Sequence, residues 1–230
     1  VTSRRASPPG KQPAAPWWLA TAEERSFFYA GVSALFNMLF AVAKLVLFLL
    51  EPNLFLLANV LFSLGVGAAK AIAVGSYRRS RRSATDTGPS IGDQYRASTL
   101  IGAVLAGSAI LYIALCLPLL IETKVGFAFE PLIAEILALI AFVELGVAIT
   151  GTIRTRHSKQ PLVKSIRIVN LGSGLILLVL AQAAILSFAS TADSSWGVGI
   201  SAMLFGGSTV LCGLYLVIGS IVRGRAIGDR

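Results

Sequence analysis

The sequence predicts an all-α polytopic membrane protein: a bundle of six transmembrane helices with both termini in the cytoplasm. Three observations carry this. Charged residues make up only 13% of the 230-residue chain and hydrophobic ones 55%, where a soluble domain carries roughly 25% charged residues. Six apolar segments reach the ~20 residues that a ~30 Å hydrocarbon layer requires. The basic residues crowd into the connections on one side.

The expected spans, in order, are Tyr29–Leu50, Leu54–Ser76, Thr99–Ile121, Pro131–Thr152, Ile166–Phe188 and Gly197–Val222. Glu51-Pro52-Asn53 is a turn signal between the first two. Glu122 to Glu130 separates the third and fourth, and Pro131 suits a first helical turn. Thr191 to Ser195 separates the fifth and sixth. Residues 1–16, rich in Pro, Ser and Ala, read as a disordered cytoplasmic tail. Residues 17–28, opening on Trp17-Trp18 and closing on Phe27-Phe28, read as an interfacial amphipathic segment, because such rings favour headgroup depth. Residues 223–230 read as a second short cytoplasmic tail.

Orientation follows from counting cations. Arg4, Arg5, Lys11 and Arg25 precede the first span. Arg78, Arg79, Arg81, Arg82 and Arg96 follow the second. Arg154, Arg156, Lys159, Lys164 and Arg167 lie between the fourth and fifth, and Arg223, Arg225 and Arg230 close the chain. The opposite side holds only Lys124. The positive-inside rule then places both termini in the cytoplasm. The same loops account for the net charge of +9. Their expected partner is an anionic lipid surface, not nucleic acid. A bacterial inner membrane is the expected location, since Val1 suits a GTG start.

Ionisable residues inside a span cost about 2.5–3.5 kcal/mol at mid-bilayer on insertion scales and are functional candidates by default. Lys44, Lys70, Glu135 and Glu144 qualify. By depth they match as two opposite-charge pairs, Lys44 with Glu135 nearer the outer face and Lys70 with Glu144 nearer the inner; the alternative is that both lysines snorkel to the headgroups and both glutamates face a wet cavity or are protonated. The expectation is that span four packs against spans one and two. Glu135 and Glu144 themselves point to opposite sides of their helix, nine residues being about 180° of rotation. Asn37, Asn59, Asn170 and Gln182 add amides, which usually bond between helices. Of these, Asn59 and Asn170 join the four charged residues as candidate site residues. Small residues at spacing i, i+4, such as Ser63/Gly67 and Ala103/Gly107, predict close helix packing.

Cys116 and Cys212 fall at different depths, so they are expected to remain free thiols. The lone His157 lies in a basic loop. No Gly-rich phosphate loop, catalytic set or metal-ligand spacing is found. Neither an enzyme nor a cofactor is expected.

The stretch from Asn37 to Arg82 resembles the first two spans of the cation diffusion facilitator family. That family follows a lysine-bearing span and a short outer turn with a second span of the type S-x-x-L-L-A-D-A-x-H-S-x-x-D. Here the run is Asn53-Leu-Phe-Leu-Leu-Ala-Asn59-Val-Leu-Phe62-Ser63-Leu-Gly65-Val66. The resemblance implies a six-helix transporter bundle and a homodimer. It also implies that divalent-ion ligands belong at the positions of Asn59, Phe62 and Val66, where none of these residues can serve a hard or borderline cation. Span five supplies no His, Asp or Glu, and the family's C-terminal cytoplasmic domain is expected to be missing. Two functions compete on this reading. One is a degenerate transporter-like protein that moves another solute or none. The other is a non-transporting subunit or scaffold that binds a membrane partner. A polar interior near Asn59, Asn170 or Glu144 favours the first, and a closed apolar core favours the second.

Overall fold

The computed structural model describes residues 22–50, 52–83, 91–121, 131–154, 160–189 and 195–228. Among them are six α-helices: α1 (Ala22–Leu50), α2 (Leu54–Ser83), α3 (Ile91–Cys116), α4 (Pro131–Arg154), α5 (Pro161–Ala189) and α6 (Ser195–Gly228). All but α4 are long and apolar enough over their described residues to cross a membrane. The 24-residue α4 has several side chains outside the described set. The chain is a polytopic, all-helical membrane protein.

Helices are what a bilayer permits, since every backbone N–H and C=O must be satisfied within the segment. The helices also run beyond their apolar stretches. α3 begins at Ile91 and not Thr99, α5 at Pro161 and not Ile166, and α6 continues to Gly228. Hydropathy marks the part of a helix that lies in hydrocarbon, whereas the i→i−4 ladder continues until something stops it. At the other end of α3, Pro118 stops it. Proline has no N–H to give, and the chain tightens into a 3₁₀ turn over Leu117–Leu120 that closes with Ile121 N donating to Pro118 O at 3.0 Å. Asn53 starts α2. Its Oδ1 accepts from Phe55 N at 2.8 Å, and its carbonyl takes Leu57 N at 3.0 Å, an N-cap arrangement. Trp17 and Trp18 lie outside the described residues, and α1 runs from Ala22 into its span without a break.

α2, α3, α6 and α5 form a ring in which each packs on the next, with α3 also meeting α5 across it. α1 lies outside, against α2 and to a lesser extent α5, and α4 lies against α5. Burial agrees: 61% of the α2 and α5 spans is enclosed but only 17% of the α1 span. The expected packing of span four on spans one and two is therefore corrected, because α5 is the neighbour that α4 takes. Depth matching ranks residues by height, and height does not say which helices stand side by side.

The tightest crossing is between α3 and α6. A Cβ at Gly102 would come within 2.7 Å of Gly213 O, and one at Gly213 within 2.8 Å of both Gly102 O and Ala106 N. The two backbones are in contact. Toward the N-terminal ends of α3 and α5 and the C-terminal end of α6, three serines bind three helices. Ser220 Oγ of α6 donates to Ser98 Oγ of α3 at 2.8 Å, Ser98 and Ser165 Oγ of α5 share a 2.6 Å bond, and Ser165 donates to Pro161 O at 3.0 Å. Since Ser165 and Ser220 have spent their protons, Ser98 is the donor in the middle bond. Cys116 and Cys212 are both free thiols. Of the predicted small pairs, Ser63 and Gly67 face α1, with Met38 against Gly67. Ala103 and Gly107 face outward, and a Cβ at Gly107 would meet nothing within 4 Å.

These contacts rank glycine substitutions. Gly213→Leu is expected to lower stability in detergent by about 1–3 kcal/mol or to prevent folding, because backbone atoms cannot yield to a new side chain. Gly107→Leu is expected to leave it within about 0.5 kcal/mol. Unfolding curves of the two variants in mixed micelles check this, and equal losses would contradict it.

Candidate intramembrane polar site

The polar residues of the spans gather along α1, α2 and their border with α5. On α1, Ser33, Asn37 and Lys44 fall at i, i+4 and i+11 and so share one stripe, since eleven residues are close to three full turns. Ser33 to Lys44 covers about 16 Å at 1.5 Å per residue, more than half of the ~30 Å hydrocarbon thickness. The stripe faces α2. Lys44 Nζ donates to Ser63 Oγ at 2.9 Å, and Lys70 Nζ donates to Ser33 Oγ at 2.7 Å. Both lysines are enclosed, at 3% and 1% exposure. Between them, buried Asn37 donates to Ser33 O at 2.9 Å and accepts from Ser173 Oγ of α5 at 3.5 Å. A seam of hydroxyl, amide and ammonium groups therefore runs through the α1–α2–α5 junction.

Lys44 and Glu135 are not brought together. Lys44 reaches α2, while Glu135 is exposed on α4. The side chain of Glu144 lies outside the described residues, and with it the inner pairing to Lys70. Ser33 and Ser63, which hold the lysines, were not among the sequence candidates. Serine is common in spans and carries no charge to mark it. The signal that could have found them is the shared stripe.

Asn59 is fully buried on α2. Its Nδ2 donates to Phe55 O at 2.9 Å, and its Oδ1 has no partner. Its polar surroundings include the Tyr112 hydroxyl of α3, which in turn neighbours Cys116. The Tyr112 hydroxyl approaches the Asn59 amide and the Cys116 thiol without reaching hydrogen-bond geometry with either. Phe62, at the position where the family resemblance would require histidine, packs edge-on to the Tyr112 ring at 5.8 Å and 61°. Val66, one turn on, is fully buried in the apolar core. Phe62 and Val66 thus serve packing, while Asn59 retains one uncommitted acceptor. Asn170 Oδ1 of α5 is a second buried acceptor without a partner, and the Arg167 guanidinium on the same helix has Nε and Nη2 buried without an acceptor.

Among the described residues no three His, Cys, Asp or Glu side chains converge as metal ligands would. Comparison with protein-family models, curated proteins and solved structures finds no match to this chain. The arrangement can offer hydrogen bonds and positive charge to something polar.

An unpartnered buried hydroxyl costs about 1–3 kcal/mol. Tyr112→Phe keeps the ring against Phe62 and removes that hydroxyl. It is expected to raise stability by about 1 kcal/mol in detergent unfolding. A fall in stability would mean that water or solute holds the hydroxyl.

Proposed function

We propose that this protein is a six-span membrane carrier, both termini cytoplasmic, whose solute passes along the α1–α2–α5 seam and is not a divalent metal ion. One observation carries the reading: two lysines, Lys44 and Lys70, are enclosed in the α1–α2 interface, with an amide–hydroxyl contact from α1 to α5 at Asn37 and Ser173 lying between them. A chain selected only to pack would hold apolar side chains there, because intramembrane ammonium groups are expensive. The orphan acceptors of Asn59 and Asn170 add to this. In a bilayer core such acceptors are open to any water or solute that reaches them. The basic connections anchor the cytoplasmic face to anionic lipid, in a bacterial inner membrane on this reading. The family-like bundle would pair as a homodimer. No catalysis is assigned to it.

The competing reading is a scaffold for another membrane protein. It draws on α1, whose outer face is broadly exposed at Leu35 (71%), Phe36 (57%) and Leu39 (63%). Lipid covers such a face equally well.

Flux separates the two. The purified chain in liposomes is expected to give saturable uptake of some member of a panel of inorganic cations, inorganic anions, carboxylates and amino acids. Asn37→Leu, which puts a branched apolar group into the seam, is expected to reduce that uptake by at least about tenfold while leaving the fold intact by circular dichroism. A protein that binds a membrane partner yet moves nothing in the panel would be the scaffold.

A further inference from the structure

The serine chain sets the height of a second cluster, away from the seam. Ser165 near the start of α5 and Ser220 near the end of α6 both bond to Ser98, so these two helix ends stand at one height, at the face that carries the basic connections. Lys164, beside Ser165, crosses to α6 there. Its Nζ donates to the Tyr215 hydroxyl at 2.6 Å and lies 4.5 Å from the centre of the Tyr215 ring. A lysine at the end of a membrane helix normally extends its ammonium freely among the headgroups. Lys164 is held instead on an aromatic partner from another helix, and that partner is 54% exposed on the outside of the bundle.

The charge at this place is of one sign. The groups that act electrostatically on the Tyr215 hydroxyl are Lys164 and Arg223, both cations. α5 and α6 contain no Asp or Glu along their lengths. A tyrosine hydroxyl is neutral, so its bond to Lys164 leaves the ammonium charge in place. Accepting from Lys164 also leaves the Tyr215 proton free, and that proton has no acceptor among the described residues. The remaining ammonium protons and the hydroxyl proton together form a donor set, with exposed Arg223 about two turns further along α6.

Beside this polar group runs an apolar track. Leu204, Gly207, Leu211, Tyr215, Ile218 and Val222 fall at i, i+3, i+7, i+11, i+14 and i+18 and so share one side of α6. The large side chains among them are all exposed, and a Cβ at Gly207 would meet nothing within 4 Å. From Tyr215 to Leu204 is about 16 Å at 1.5 Å per residue, half of the ~30 Å hydrocarbon thickness and hence the depth of one leaflet. The complementary ligand is anionic at one end and apolar over the length of a leaflet.

We propose that Lys164, Tyr215 and Arg223 form a specific site for an anionic phospholipid. The lipid phosphate accepts from Lys164 Nζ and from the Tyr215 hydroxyl, and one acyl chain lies along Leu211, Gly207 and Leu204. Basic pockets between membrane helices recognise anionic headgroups by the same chemistry. The site narrows the general attraction of the basic connections for anionic lipid to one place between α5 and α6, and it requires no flux through the α1–α2–α5 seam.

The test uses the full chain in neutral detergent, titrated with dioleoylphosphatidylglycerol or with zwitterionic dioleoylphosphatidylcholine, and reads bound lipid by native mass spectrometry. The expected result is a first phosphatidylglycerol bound at least about tenfold more tightly than phosphatidylcholine. Lys164→Gln should weaken it at least about tenfold and Tyr215→Phe about threefold or more, since one removes the charge and the other the hydroxyl donor. Lys164→Arg, which keeps the charge, should retain most of the affinity. Arg78→Gln, on α2 across the ring from α6, should leave it within about twofold. Circular dichroism of each variant separates loss of the site from loss of the fold. Equal affinity for the two lipids would overturn the proposal. Equal losses in Lys164→Gln and Arg78→Gln would also overturn it, because the attraction would then be diffuse. Displacement of the lipid by inorganic phosphate at matched concentration would make this a site for a soluble anion and overturn the lipid assignment. All of these outcomes leave the carrier reading to be decided by flux.

Discussion

The backbone contact between α3 and α6 at Gly102 and Gly213 fixes the arrangement of the other helices. In lipid there is no hydrophobic gain from helix association, so close packing and interhelical hydrogen bonds must supply the energy. Where two backbones touch, dispersion contacts are densest, and only glycine allows it here. With α3 and α6 locked, the Ser98–Ser165–Ser220 chain ties α5 to both. α2 then fills the remaining side of the ring, setting Gly65 against Ser108 of α3. α1 and α4 can pack only on the outside of that ring. This is why the polar seam lies at its edge, where α1 meets α2 and α5, and not at its centre.

Much of the fold was legible because the bilayer leaves few options. Apolar length announced the helices, and Asn53 and Pro131 marked two helix starts. What hydropathy could not supply was rotation and neighbourhood. Ala103/Gly107 and Gly102/Ala106 have the same spacing on the same helix and differ by one residue, about 100° of turn. One pair faces outward and the other meets α6. Glu135 failed as a partner for Lys44 for a related reason. Their depths match, but α4 stands on α5. The charged candidates were visible because charge in a span is rare. Their serine partners were not, because a hydroxyl in a membrane helix is ordinary and normally satisfied by its own backbone.

The resemblance to metal transporters is informative mainly where it breaks. At the three positions that would bear ligands, Phe62 and Val66 have joined the apolar core, and Asn59 keeps a polar side chain with one unsatisfied oxygen. The amide, beside the Tyr112 hydroxyl, keeps this part of the interior polar.

The lysines bear most directly on whether that polarity is functional. Enclosing an ammonium group near mid-membrane costs about 2.5–3.5 kcal/mol, and an interhelical hydrogen bond there returns about 0.6 on average and at most about 1.7. A second partner does not change the sign of the argument. Even a fully paired buried ion is commonly no more stabilising than well-packed apolar residues of similar size. Two such lysines, each bonded to a serine of the neighbouring helix, are therefore a costly way of holding α1 to α2. Leucine would do that at lower cost.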